Sequence, residues 1–158
     1  MKEFSELTIS TAVKGLKNKD FSSVELTKHY IEKIEKNLNL NCFITPTFEI
    51  ALEMAKKSDE NIAKKKQRLL EGIPIGMKDL FCTNGTLTTA GSKILENFIP
   101  FYESTVSENL WNSGAIMLGK TNMDEFAMGS ANTTSYFGNV INPLKPKSAI
   151  NSDLVPGG

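Results

Sequence analysis

The most informative residue for chemistry in this sequence is a lysine at the end of an apolar strand. Lys78 follows Ile73-Pro74-Ile75-Gly76-Met77, which alternates apolar and small residues as a strand does, and it precedes Asp79-Leu80-Phe81. Partial burial disfavours a lysine's charged form and makes the neutral amine available as a base. Paired with a serine, such an amine replaces the histidine of a nucleophile–base couple. The same position suits more readily a lysine that snorkels to solvent or pairs with Asp79, since perturbed lysines are also often structural. Burial pattern alone leaves both roles open.

Three other patterns invite chemistry and fail on context. Gly114-Ala115-Ile116-Met117-Leu118-Gly119-Lys120-Thr121 satisfies the G-x-x-x-x-G-K-T spacing of a phosphate loop. That loop needs a strand before the first glycine, a helix after the lysine and exposed amides between them. Here a helix precedes Gly114, and the middle residues bury as a strand. His29, the single histidine, stands between Lys28 and Tyr30 with no acid or nucleophile near it, so it reads as structural. Cys42 and Cys82 are too few for a disulfide framework or a Cys-rich zinc site. They read as reduced, partly buried thiols, and no metal site is expected.

The elements that must position Lys78 fall into two stretches. Residues 1–68 are rich in Lys and Glu and read as a helical segment, whereas residues 69–158 change to an α/β pattern. In the first, Ser22-x-x-Glu25 is a capping box, with Val24, Thr27, Ile31, Ile34 and Leu38 forming one apolar face behind it. A second helix starts near Thr47 and turns Phe48, Ala51, Leu52, Ala55 and Ile62 inward. Lys64-Lys65-Lys66 at its end suits a helix C-terminus and reads as solvated, not as a nucleic-acid patch. In the second stretch, Thr105-x-x-Glu108 is another capping box, opening a helix through Val106, Leu110 and Trp111 that closes at Gly114. Ala115–Leu118 reads as a buried strand, and Asn122 as the cap of a helix bearing Met123, Phe126 and Ala127. Residues 130–158 read as loop, and Val155-Pro156-Gly157-Gly158 as an interrupted ending.

Composition narrows the class. The chain has 158 residues, 18 basic and 18 acidic side chains, 40% hydrophobic and 23% charged residues, near the averages for soluble globular proteins. That length fits one domain, or a piece of a larger one, with a real core. No apolar run approaches the roughly 20 residues of a membrane span. Met1-Lys2-Glu3-Phe4-Ser5-Glu6 lacks the apolar run of a secretory signal, so a cytoplasmic protein is expected. Zero formal charge gives no field toward nucleic acid. Arg68 is the single arginine, so bidentate recognition of phosphate is nearly absent.

Several blocks then carry a family likeness. Gly72-Ile73-Pro74-Ile75-Gly76-Met77-Lys78-Asp79 closely resembles the block around the catalytic lysine of the amidase signature family. The likeness extends through Thr88-Thr89-Ala90-Gly91-Ser92 and through the run from Gly119 to Ser130. It continues into Phe137-Gly138-Asn139, Asn142-Pro143 and the terminal Val155-Pro156-Gly157-Gly158. Within the family, Asn122-Met123-Asp124-Glu125-Phe126-Ala127-Met128-Gly129-Ser130 and the helical N-terminus look most like the A-subunit branch of the glutamyl-tRNA(Gln) amidotransferases. Departures are Gly76, where the family more often has Ala, Leu144, where many members have Trp, and a longer insertion from Lys145 to Ser152.

The resemblance implies an amidase signature fold, a mixed β-sheet flanked by helices, of which residues 69–158 would be the incomplete start. It implies that Lys78 is the base of a Lys–Ser–Ser triad, and that Met128, Gly129 and Ser130 border the scissile amide. From spacing alone, Gly129 equally reads as a helix terminator. The relay serine would follow Gly157-Gly158 and the nucleophile would lie further on, so this stretch is expected to be inactive by itself. The implied activity is glutaminase, releasing ammonia to amidate misacylated tRNA bound by a partner protein. The B and C subunits of the amidotransferase would be partners, and the complex would use ATP and Mg. A free hydrolytic amidase and an inactive remnant are the alternatives.

Overall fold

Local capping boxes open the first two helices. The computed structural model describes residues 4–144 and 155–157, so the Lys145–Ser152 insertion, Met1–Glu3 and Gly158 lie outside the described residues. Helix α1 (Ile9–Asn18) is capped by Thr8, whose Oγ1 accepts from Thr11 N–H while Thr8 N–H donates to Thr11 Oγ1. Helix α2 (Ser23–Glu35) starts at the expected capping box: Glu25 N–H donates to Ser22 Oγ at 3.1 Å and Ser22 N–H to Glu25 Oε2 at 2.7 Å. The two remaining donors of its first turn, Ser23 and Val24 N–H, go to the Asp59 carboxylate on α3 (Phe48–Ala63). The helix ends at Glu35, so Leu38 falls beyond it and is exposed, and Leu26 rather than Val24 joins Thr27 and Ile31 in the buried face. Helix α4 (Thr105–Asn112) is followed by Gly114 at φ +92°. A Cβ at Gly114 would lie 2.8 Å from Glu71 Cα, so the turn tolerates only glycine.

Three strands form one sheet in the order β1-β3-β2. Strand β1 (Phe43–Pro46) runs antiparallel to β3 (Ile116–Thr121), with Thr45 opposite Lys120 and Pro46 opposite Gly119. On the other side of β3, Ile116 N–H donates to Ile73 O and Asp79 N–H to Thr121 O. Like ends therefore lie together, and β2 (Pro74–Lys78) is parallel to β3, with α4 in the crossover between them. This is the expected mixed sheet.

Packing divides the chain into two units, each gathered from separate stretches. The first comprises Met1–Lys36, Thr47–Gly76 and Thr105–Leu118. Its core is Ala12, Leu16, Leu26 and Ile73, with Phe21, Tyr30, Ile62 and Ile75 packed against it. The single guanidinium serves this unit: Arg68 Nε and Nη2 donate to the fully buried Glu71 carboxylate at 2.6 and 2.9 Å, and Ser58 Oγ adds a third bond at 2.7 Å. His29 stacks edge-on against Phe4 and Tyr30, the structural role expected of it. The second unit comprises Asn37–Pro46, Met77–Ser104 and Gly119–Gly158. Strands β2 and β3 each begin in the first unit and end in the second.

One expected helix is absent. After Asn122 the chain makes only a 3-10 turn at Glu125–Ala127, with Phe126 at φ +51° and Ala127 at φ +59°. Asn122 does not cap a helix. Its Oδ1 accepts from Met123 N–H and Ser135 Oγ, and its Nδ2 donates to Asn41 O and Gly138 O. Left-handed geometry at two successive non-glycine residues ends any helical run.

Candidate functional site

Lys78, Met128, Gly129 and Ser130 all lie in the second unit. Lys78 is the last residue of β2 and is half-buried. Among the described residues, its Nζ makes no hydrogen bond or ion pair, and the expected alternative of pairing with Asp79 does not occur. The Asp79 carboxylate is fully buried and turned to other partners. Its Oδ2 accepts from Thr89 N–H at 2.9 Å and Thr89 Oγ1 at 2.5 Å, and its Oδ1 faces Lys120 Nζ at 3.6 Å. That separation is an ion pair beyond hydrogen-bonding reach, and Oδ1 accepts no hydrogen bond.

Lys120 is the lysine of the phosphate-loop pattern, and its surroundings explain why that pattern holds no phosphate. Residues Gly114–Lys120 are buried, and β3 occupies the place of the loop. The Lys120 ammonium, 0% exposed, donates to Phe81 O and Thr88 Oγ1, both at 2.7 Å. Burial pulls its pKa down, and the Asp79 carboxylate opposes that shift.

The segment Thr88–Ser92 links this pair to the loop that carries Met128, Gly129 and Ser130. Ala90 N–H donates to Asp79 O at 3.1 Å, and Phe126 N–H donates to Ala90 O at 2.8 Å. Ser92 Oγ adds a 2.5 Å bond to Glu125. Met128, Gly129 and Ser130 are all exposed, and no hydrogen bond joins them to Lys78 among the described residues. Ala90, Phe126, Ala127 and Asn132 all have φ between +51° and +59°. Such residues persist only where neighbours over-determine them, which is characteristic of functional loops.

Asp124 is the main neighbour doing so. Its carboxylate accepts from the N–H groups of Ala131, Asn132, Thr133 and Thr134 and from Thr134 Oγ1, at 2.8–3.2 Å. Burial alone would raise its pKa, but the donors of Asn132, Thr134 and Thr133 outweigh that and hold it at about 2. Gly129 lies against this cradle, where a Cβ would sit 2.4 Å from Asp124 Cγ. Gly129 is therefore required by close approach and does not terminate a helix. Sequence reasoning read Asp79 only as a partner for Lys78 and Lys120 only as the lysine of a failed phosphate-loop pattern, and gave Thr89 and Asp124 no role beyond membership of the family-like blocks.

Cys82 Sγ donates to Tyr102 Oη at 3.3 Å, and among the described residues neither Cys42 nor Cys82 forms a disulfide. Among the described residues, no cluster of three or more His, Cys, Asp or Glu side chains is placed to hold a metal, and no helix is long and apolar enough to cross a membrane.

The family model described as Amidase matches residues 25–158. The chain belongs to the amidase family. It is 56% identical over all its 158 residues to the A subunit of the glutamyl-tRNA(Gln) amidotransferase of Rickettsia bellii, of which it covers 32%. Among solved structures it resembles a bacterial aryl acylamidase of the amidase signature family, with TM-score 0.81 and 27% identity over 96% of this chain and 31% of that one. It also resembles the amidotransferase A subunit of Thermotoga maritima, with TM-score 0.73 and 29% identity over 100% of this chain and 30% of that one. The amidase chain thus spans about a third of the length of the curated relatives it matches, and its fold is that of the amidase signature proteins.

Proposed function

We propose that the chain is the N-terminal third of an amidotransferase A subunit, and that Lys78 is the base of its amidase site. The observation that carries this reading is the Lys78 amine itself. It stands half-buried at the end of β2 with no partner among the described residues, while the adjacent Asp79 is engaged by Lys120 and Thr89. An amine left free beside a neutralised carboxylate is available for proton transfer. Lys78 takes a proton, through a relay serine, from a nucleophilic serine supplied by later residues. The serine Oγ attacks the glutamine side-chain carbonyl, the C–N bond breaks, and the returned proton leaves with ammonia. The resulting glutamyl ester is hydrolysed by water. Met128, Gly129 and Ser130 border the substrate amide, on a loop fixed by Asp124. The B and C subunits are the partners in the cytoplasm. One of them binds misacylated tRNA and uses ATP and Mg, roles to which a chain with one arginine and zero net charge contributes little.

A free amidase is the second reading, favoured by the higher TM-score with the aryl acylamidase, 0.81 against 0.73. The 56% identity with an A subunit weighs more, because the two structural relatives stand equally far off at 27% and 29%. The test joins these 158 residues in frame to the remaining two thirds of the Rickettsia bellii protein, and the completed subunit is assembled with its partners. Glutamine-dependent amidation of misacylated tRNA, requiring ATP and Mg, is expected. Equal turnover of simple amides by the isolated completed subunit would establish the free amidase, and no turnover of either substrate would overturn both readings.

A further inference from the structure

We propose that the buried Lys120–Asp79 pair is a positioning device for Lys78. This inference rests on the assignment of Lys78 as the base. Both side chains are 0% exposed. Burying two charges costs several kcal/mol per ion before pairing, and well-packed apolar residues often serve stability as well or better. An ion pair at 3.6 Å, with one carboxylate oxygen accepting no hydrogen bond, is a poor source of stability. Its bonds instead converge on the backbone that follows Lys78.

Every polar group of Asp79 except Oδ1 is held by a hydrogen bond. Its N–H goes to Thr121 O, its O to Ala90 N–H, and its Oδ2 to Thr89. Two residues on, the Lys120 ammonium holds Phe81 O, while Phe81 N–H closes a turn onto Lys78 O. Thr88 and Thr89 thus take the ammonium and the carboxylate from one short segment. The turn from Lys78 to Phe81 is clamped at both ends, and the Lys78 side chain is left free on a fixed main chain. Lys120 and Asp79 touch no reacting atom in this scheme. They act through the placement of Lys78, where a displacement of about 1 Å costs on the order of 100-fold in rate.

The test uses the completed subunit in its assembled complex, measuring glutamine-dependent and ammonium-dependent amidation side by side. The ammonium rate normalises for the fraction of folded complex. Lys120→Met/Asp79→Asn removes both charges together, so no single buried charge remains. The expected result is a 10- to 100-fold fall in kcat with glutamine, KM for glutamine within threefold, and an ammonium rate within twofold of the unsubstituted complex. Should that variant fail to assemble, Thr88→Val and Thr89→Val keep both charges and each remove one clamp; each is expected to lower the normalised glutamine kcat severalfold. An unchanged normalised kcat in the variants that assemble would overturn the proposal, as would a loss confined to KM. Lys78→Ala in the same assay separates the two claims. If it abolishes glutamine use while the clamp variants are fully active, positioning fails and the base assignment stands. If Lys78→Ala retains glutamine use, the base assignment itself fails.

Discussion

Asp124 and Gly129 show how a single contact fixes a loop. Five donors hold the Asp124 carboxylate, so it cannot yield to a side chain at position 129 that would meet its Cγ at 2.4 Å. Gly129→Ala is therefore expected to cost about 1–3 kcal/mol and to displace Met128 and Ser130; thermal melting and KM for glutamine measure the two effects. The Asp124 carboxyl also sets an acid limit. Its folded pKa of about 2 lies below the ordinary 3.8, so its contribution is complete above the ordinary value and is lost as pH falls through the folded one. The amides of Asn132, Thr133 and Thr134 should stay protected from hydrogen exchange to about pH 3 and open together near pH 2. Opening at pH 4 would contradict this. At this scale Lys78 was legible in the sequence, because a lysine ending an apolar strand stands out. Lys120 was not. Its motif pointed to phosphate, and its actual partners Phe81, Thr88 and Asp79 lie about 30–40 residues away in sequence.

Elements follow the same division between local and distant causes. The α2 start was readable because Ser22 and Glu25 form a local capping box, although Asp59 of α3 takes the other two first-turn donors. Ser22→Ala is expected to destabilise by about 1 kcal/mol, measured by denaturant titration. The missed elements depend on neighbours. Strand β1 is four residues ending in proline and exists by pairing with β3, whereas the helix expected after Asn122 gives way to the turn enforced by Asp124 and Ala90. Likewise Arg68 looked merely scarce, yet it satisfies a buried carboxylate. Burial opposes ionisation of Glu71, but Arg68, Ser58 and Asn61 together hold its pKa below the usual range. Arg68→Met should cost about 3 kcal/mol at neutral pH by stranding that charge. The difference between wild type and variant should shrink as pH falls through the depressed folded value, since a protonated Glu71 needs no guanidinium. A difference that grows in acid would contradict the assignment.

At the scale of the whole molecule, the family was legible because its blocks run in order through the second half of the sequence. The gathering of separate stretches into two units was not, since it joins residues far apart in sequence. Among the described residues the three-stranded sheet has β1 and β2 at its edges, each paired on one side, and Ile94, Phe101, Met128 and Leu144 are 78–87% exposed. Unpaired edges and apolar patches template association, so the 158-residue chain is expected to scatter light increasingly with concentration and heating. A monomer with a sharp, reversible melt at high concentration would contradict that. The central claim is narrower: Lys78 is the proton-transfer base. It is tested most directly by Lys78→Ala in the completed protein within its assembled complex, comparing amidation with glutamine against amidation with supplied ammonium. Loss of a base within a triad should lower the glutamine rate by at least ~10²–10⁴ and leave the ammonium rate intact. Equal loss with both nitrogen donors, or no loss with glutamine, would show that Lys78 is structural.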